Sequence, residues 1–177
     1  MTVAHESIDH HIFIGQTKAG KTTAATRLAH WYDAHGVKSL VLDRMMDERW
    51  PASAHIVRDA DEFLAIAQNP DKCLQCALFI DDAGGSVNKH LDCFNWVTTE
   101  SRHFGHVAHL CTQRAVQIAP TVRSQCGVLY VFNVNQKDAK SYAEDFNCAE
   151  ILKAPSLPKG HCLRVERFKP VRYLRLW

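Results

Sequence analysis

The octapeptide GQTKAGKT at 15–22 sets two glycines five residues apart and follows the second with a lysine and a threonine. That spacing satisfies the phosphate-binding pattern G-x-x-x-x-G-K-[ST], whose mechanism requires a strand before it and a helix after it. Both are in place, because the apolar HIFIG precedes at 11–15 and the helix-forming KTTAATRLAHWYDAH follows at 21–35. Gly15 and Gly20 allow the backbone to curl its N–H groups toward phosphate oxygens, and the helix N-terminus adds a favourable dipole. Lys21 opens the helix and reaches the β- and γ-phosphates of ATP, while Thr22 sets a hydroxyl on Mg²⁺. Gln16, Thr17, Lys18, Ala19 and Thr23 complete the expected nucleotide-binding set. Two lysines compete for the phosphate, and position separates them: Lys21 begins the helix, whereas Lys18 lies on the crown of the loop.

A nucleotide loop needs an acidic partner at the end of a neighbouring strand. ALFIDD at 77–82 supplies one, with Asp81 expected to orient the Mg²⁺ shell and Asp82, one residue on, expected to act as the base that activates water. The pair favours hydrolysis over transfer to a small acceptor. The segment GHVAHLCTQ at 105–113 ends in Gln113. If that strand lies between the phosphate-loop strand and the Asp81 strand, Gln113 points at the γ-phosphate and the attacking water.

The elements that must position these groups follow from apolar periodicity and breakers. Strands are expected at 11–15, 37–43, 76–82, 105–113 and 127–133, with a short one at 55–58; helices are expected at 21–35, 61–69, 87–100 and 137–147. Strands alternating with helices predict a mainly parallel sheet covered on both faces. Residues 161–168 and 171–177 read as a terminal hairpin joined at Lys169 and Pro170. A chain of 177 residues accommodates one sizeable core, with 1–150 as the body and 151–177 as an extension packed on it. Apolar runs such as ALFI at 77–80 fall far short of a membrane span, and the N-terminus lacks a secretory pattern, which together predict a soluble protein made in the cytosol.

Three stretches, HHIFIGQTKAGKTT at 10–23, LFIDDA at 78–83 and SRHFGHVAHLCTQR at 101–114, together resemble the FtsK/HerA superfamily of DNA-pumping ATPases. More narrowly they look like the genome-packaging ATPases of tailless, internal-membrane bacteriophages and of large eukaryotic DNA viruses. In that group an Arg-His pair leads into a strand ending in Gln, as Arg102, His103 and Gln113 do here. The resemblance covers about residues 10 to 133 and implies a RecA-like ASCE core (the additional-strand P-loop class) with sheet order 5-1-4-3-2. It also implies a homo-oligomeric ring and translocation of double-stranded DNA, without sequence preference, into a procapsid. Capsid or vertex proteins would be partners, and the protein would act in host cytoplasm and at the virion's packaging vertex. Such a ring needs a positive charge delivered to the γ-phosphate by the neighbouring subunit; Arg102 is the first choice, with Arg114 and Arg123 as alternatives. The sequence departs from the family pattern at Lys18, where Gly is usual, and at Asp82, where Glu is common.

Two other functions use the same loop. One is a small nucleotide or metabolite kinase, although the segment between Gln113 and Gly127 is short for an arginine-rich lid. The other is a non-pumping, nucleotide-dependent assembly factor. A GTPase is disfavoured because NKHL at 88–91 lacks the acid of a guanine site. The seven cysteines read as buried thiols of a reducing compartment; zinc is the sharper alternative, since CLQC at 73–76 and HLDC at 90–93 have ligand-like spacing, but the length of a strand separates the pairs. His106 and His109 read as packing or interface residues. The segment DRMMDERW at 43–50 reads as a loop facing a pore or a neighbour. The tail from 151 carries seven Lys/Arg against one acid, which suits a polyanion or a solvated strand face equally.

Overall fold

The computed structural model describes residues 9–81 and 91–177. Eight strands form one sheet in the order β3-β2-β4-β5-β1-β6-β7-β8. They are β1 (His10–Ile14), β2 (Ser39–Leu42), β3 (His55–Val57), β4 (Ala77–Ile80), β5 (Val107–Thr112), β6 (Cys126–Val131), β7 (His161–Glu166) and β8 (Arg172–Arg175). The first six pair in parallel. Set β3 aside and the remaining five run β2-β4-β5-β1-β6, which is the expected 5-1-4-3-2 order read from its other end. The difference lies at the two edges: β3 extends one side, and the hairpin β7-β8 continues the sheet beyond β6 by antiparallel pairing.

The helices are α1 (Lys21–Ala34), α2 (Ala60–Ala67), α3 (Leu91–Thr99), α4 (Pro120–Ser124) and α5 (Gln136–Asp145). Each begins or stops for a local reason. Gly36, at φ 75°, ends α1. Asp59 caps α2 by accepting from the N–H groups of Asp61 and Glu62, and Asn135 caps α5 by accepting from Asp138. The start expected for α3, at 87–90, falls outside the described residues. Short turns of 3-10 helix at Ser101–Phe104, Ala115–Gln117 and Ala149–Ser156, and α4 itself, were not legible from periodicity. Among the described residues no helix is long and apolar enough to cross a membrane.

Strand alternation divides the core in two. Ile12, Ile14, Leu40, Leu78, Ile80, Leu110 and Leu129 pack on one face of the sheet with Phe63 of α2 and Tyr142 of α5. Phe13, Val41, Phe79 and Cys111 pack on the other beneath Ala25 and Ala29 of α1. His109 lies on this second face, fully buried, with its ring stacked on Phe79 at 4.4 Å and edge-on to His11 at 4.6 Å. It is therefore a core aromatic, as expected for packing, and neither ring nitrogen has a hydrogen-bond partner among the described residues.

This buried imidazole layer makes stability depend on pH. Burial, with the Arg102 charge second, lowers His10 to about 3, and burial lowers His109 well below its ordinary value. Between the unfolded value of 6.5 and these folded values the unfolded chain binds more protons, so stability is present above 6.5 and is lost as pH falls. Burial lowers His11 to about 3 as well, and the three histidines together should cost about 6 kcal/mol by pH 5, roughly a 15 °C drop in Tm from pH 7. Thermal unfolding of the native chain and of His109→Phe checks this: the drop should shrink by about a third in the variant, and an equal drop in both would refute the assignment.

Candidate functional site

Parallel strands deliver their C-terminal ends to the same edge of a sheet, which is where open α/β folds bind ligands. Here that edge gathers the phosphate loop after β1, Asp43 after β2, Asp81 after β4 and Gln113 after β5. The loop hangs between its neighbours. Gly15 N–H donates to Thr112 at 3.3 Å and Gln16 N–H to Asn133 at 2.8 Å. Gly15 can be nothing larger, because a Cβ there would lie 2.6 Å from Phe132 Cβ. Gly20 adopts φ 125°, and Lys18 stands at φ 64°, so the crown holds the left-handed turn despite having lysine where glycine is usual.

Lys21, only 8% exposed, extends Nζ back under the loop to the carbonyls of Gly15 at 2.8 Å and Gln16 at 2.9 Å. Thr22 donates its hydroxyl to Asp81 Oδ2 at 2.9 Å, across 59 residues of sequence. Two hard oxygen donors side by side suit Mg²⁺, and Thr22 and Asp81 are the residues that would hold it. The order β4-β5-β1 places β5 between the loop strand and the acid strand, which is the arrangement the Gln113 reading required. Gln113 accepts from the Thr17 hydroxyl at 3.1 Å. Beyond it, Gln117 Oε1 accepts from the N–H groups of Gln113 and Arg114, fixing the turn that follows β5. Asp82, the expected base, falls outside the described residues.

The arginines divide by position. Arg102 stands in the 3-10 turn ahead of β5, at the opposite edge of the sheet from the loop, about 20 Å away along a six-residue strand. It is exposed, donates to the Gln125 carbonyl, and lies 3.0 Å from His10 Nε2, so it does not serve its own chain's loop. Arg114 pairs with buried Asp138 at 3.0 Å. Arg123 is 7% exposed, pairs with Asp145 at 3.1 Å and lies over the Tyr142 ring, which removes it as a finger.

Sequence reasoning missed one arginine that does reach the loop. The segment 43–50 is folded on one carboxylate: buried Asp43 accepts from the N–H groups of Met45 and Asp47 and from Trp50 Nε1, and Trp50 packs on Phe79. This folding turns Arg49 onto α1, where it donates to the Thr23 hydroxyl at 3.0 Å and pairs with Asp47. No spacing rule links residue 49 to residue 23; only the β2 register brings them together.

The tail reaches the phosphate loop. Gly160 N–H donates to Ala19 at 3.1 Å, Arg27 donates to the Leu176 carbonyl at 2.6 Å, and Trp177 lies against Gly160 and Gly20. The hairpin end is thus a wall of the phosphate loop. Of its cations, Arg164 and Lys169 pair with Glu166, and Arg167 lies over Phe146. Loop, Arg49 and tail enclose an open cavity of about 380 Å³ in which Lys18, Lys21, Arg49 and Lys159 all present charge and Trp177 presents an aromatic face. Four cations beside the Thr22 hydroxyl suit a polyphosphate.

No protein-family model matches the sequence, and no curated protein matches it. Solved structures do. The genome-packaging NTPase B204 of Sulfolobus turreted icosahedral virus 2, in complex with AMPPCP, superposes with a TM-score of 0.77 at 18% identity, covering 94% of this chain and 96% of that one. VirB4 of Thermoanaerobacter pseudethanolicus gives 0.69 at 9% identity over 95% and 89%. The pCW3 conjugation coupling protein TcpA, with ATPγS, gives 0.66 at 12% identity over 97% and 60%. The chain has the fold of these P-loop ATPases across nearly its whole length.

Arg49→Ala should weaken binding of a non-hydrolysable ATP analogue by about tenfold, the loss expected for one charge-assisted hydrogen bond, and leave thermal stability nearly unchanged because its ion pair is solvated. Calorimetric titration measures the first and a thermal scan the second; unchanged affinity would place Arg49 outside the site.

Proposed function

We propose that this chain is an ATP-hydrolysing motor that drives double-stranded DNA into a preformed viral capsid. The observation that carries the reading is the Thr17 to Gln113 hydrogen bond, because it couples the phosphate loop to the strand that senses the γ-phosphate. The similarity to a genome-packaging NTPase over the full chain supports the same reading.

The chain's own residues divide the work. Lys21 exchanges its Gly15 and Gln16 carbonyls for phosphate oxygens when nucleotide enters. Thr22 and Asp81 would hold Mg²⁺, whose charge would offset that of the phosphates. Gln113 leaves Thr17 to orient the attacking water, and Asp82 takes the proton from that water. Loss of the γ-phosphate returns Gln113 to Thr17, and because Gln117 braces the turn from Gln113 to Arg114, the change passes into the segment after β5. Arg49 and Lys18 add positive charge from within the chain, while Arg102, exposed at the far edge, serves the loop of a neighbouring subunit in a ring.

DNA contact is to phosphates, since a pump must grip every base pair alike, and it weakens steeply with salt. Exposed Lys153, Arg172 and Arg175 engage neither the loop nor Glu166 and are the tail cations left for that contact once Arg167 is set over Phe146.

ATPase rate measured against protein concentration should rise with assembly and rise further with double-stranded DNA, and Lys21→Ala should abolish it. Mixing Lys21→Ala with Arg102→Ala subunits should restore part of the activity if Arg102 acts across the interface. Phosphate transfer to a small acceptor, or hydrolysis by Lys21→Ala, would overturn the reading.

A further inference from the structure

At the edge of the sheet away from the phosphate loop, three donors from distant parts of the chain meet. Cys73 lies in the turn after α2, Cys76 directly precedes β4, and His106 directly precedes β5. Because β4 and β5 pair with Ala77 opposite Val107, the residues before each strand stand side by side. The Sγ atoms of Cys73 and Cys76 and a ring nitrogen of His106 all lie within 4.8 Å of one another. We propose that Cys73, Cys76 and His106 form a binding site for a structural zinc ion, a site separate from the nucleotide cavity.

Sequence reasoning set zinc aside because the second candidate pair, His90 and Cys93, is separated from CLQC by a strand. The third donor comes instead from His106, thirty residues from Cys76 and invisible to any local spacing. Tetrahedral zinc, with Zn–S of about 2.3 Å and Zn–N of about 2.0 Å, sets donor separations near 3.6 Å, so the cluster closes on the ion with a contraction of about 1 Å at most. Two sulfurs and one imidazole are a donor set that selects zinc over magnesium or calcium.

The orientation of His106 matches that of a ligand. Its Nε2 lies 3.1 Å from the Ala67 carbonyl, an acceptor only, so Nε2 carries the proton and Nδ1 presents its lone pair. Nδ1 accepts from the Cys76 N–H at 3.0 Å. A histidine that donates one ring N–H to a backbone carbonyl while its other nitrogen lies at Cys76 has the second hydrogen bond typical of metal-bound imidazole. Loading exchanges the N–H contact at Nδ1 for the ion.

The turn is shaped to hold this geometry. Gln75 stands at φ 54° between the two cysteines and donates its N–H to the Phe104 carbonyl at 3.0 Å. Gly105 packs so close to Gln75 that a Cβ would lie 2.8 Å from its Cγ. Cys73, Cys76 and His106 are 3%, 4% and 0% exposed, which withholds the thiols from disulfide exchange with other proteins. Three donors leave one tetrahedral position for a further ligand. The ion would tie the end of α2 to the starts of β4 and β5, so its loss would loosen the edge of the sheet that also carries Arg102.

The test is metal content. The full chain, expressed with zinc and purified without chelator or metal-affinity resin, should contain about one zinc per molecule by mass spectrometry of metals. Replacement with Co²⁺ alone should give the thiolate-to-cobalt charge-transfer absorption of a sulfur-ligated tetrahedral site. Both signals should vanish in the Cys73→Ser, Cys76→Ser double variant, and a chelator should lower Tm of the native chain but not of the variant. Substoichiometric zinc with no cobalt absorption would overturn the proposal, as would a Cys73 to Cys76 disulfide trapped by alkylation at lysis. The native-chain readouts stand even if the variant fails to fold, and none depends on ATPase activity.

Discussion

The hydrogen bond from Thr22 to Asp81 joins the first turn of α1 to the end of β4, and the geometry of the site depends on it. It forms only if β1 and β4 run parallel with their ends level, one strand apart, with β5 between them. Those same conditions set Gln113 beside Thr17 and hang the loop between Thr112 and Asn133. A shift of any of these strands by one residue would turn the alternating side chains to the wrong faces, exchanging Phe13 and Phe79 with Ile12, Ile14 and Ile80. The two-sided apolar core therefore enforces the register, and the register enforces the site. Stability and chemistry rest on the same pairing.

Around this centre, two segments with no nucleotide-binding pattern become walls of the cavity. The turn after β2 folds on one buried carboxylate, Asp43, and delivers Arg49. The hairpin β7-β8 extends the sheet past β6 and returns Gly160 and Trp177 to the loop, where Gly20 has room for neither a side chain nor an ordinary backbone conformation. Charge near the phosphates thus comes from the loop, from a turn and from the tail of one chain, while exposed Arg102 sits at the far edge. In the proposed ring this division lets one subunit bind nucleotide by itself and makes hydrolysis answer to its neighbour.

Much of this was legible before any coordinates, and the reason is local encoding. GQTKAGKT, its flanking strand and helix, the acid after ALFI and the Gln after HVAHLCT are contiguous patterns, each carrying its own mechanism. The alternation of strands and helices predicted the parallel sheet. What escaped are contacts between segments with no shared pattern: Arg49 with Thr23, the tail with Ala19, and His106 with Cys76. Charge counting left the tail open between a polyanion contact and a solvated strand face; Glu166 pairs with two of its cations and Lys159 faces the cavity. Trp50, taken for an outward aromatic, is buried by a carboxylate seven residues earlier that accepts its indole N–H. For Arg102 and Arg123, the direction of β5 and the burial of the Arg123 side chain decide what each can reach.

The central claim is that nucleotide turnover at this site moves double-stranded DNA. It is tested most directly by displacement of a fluorescent third strand from a duplex as the protein assembles on it with ATP and Mg²⁺. The expected result is displacement that requires ATP, is insensitive to duplex sequence, falls steeply with salt and is absent in Lys21→Ala. ATP hydrolysis that proceeds without displacement on any duplex, at protein concentrations where assembly is complete, would contradict it.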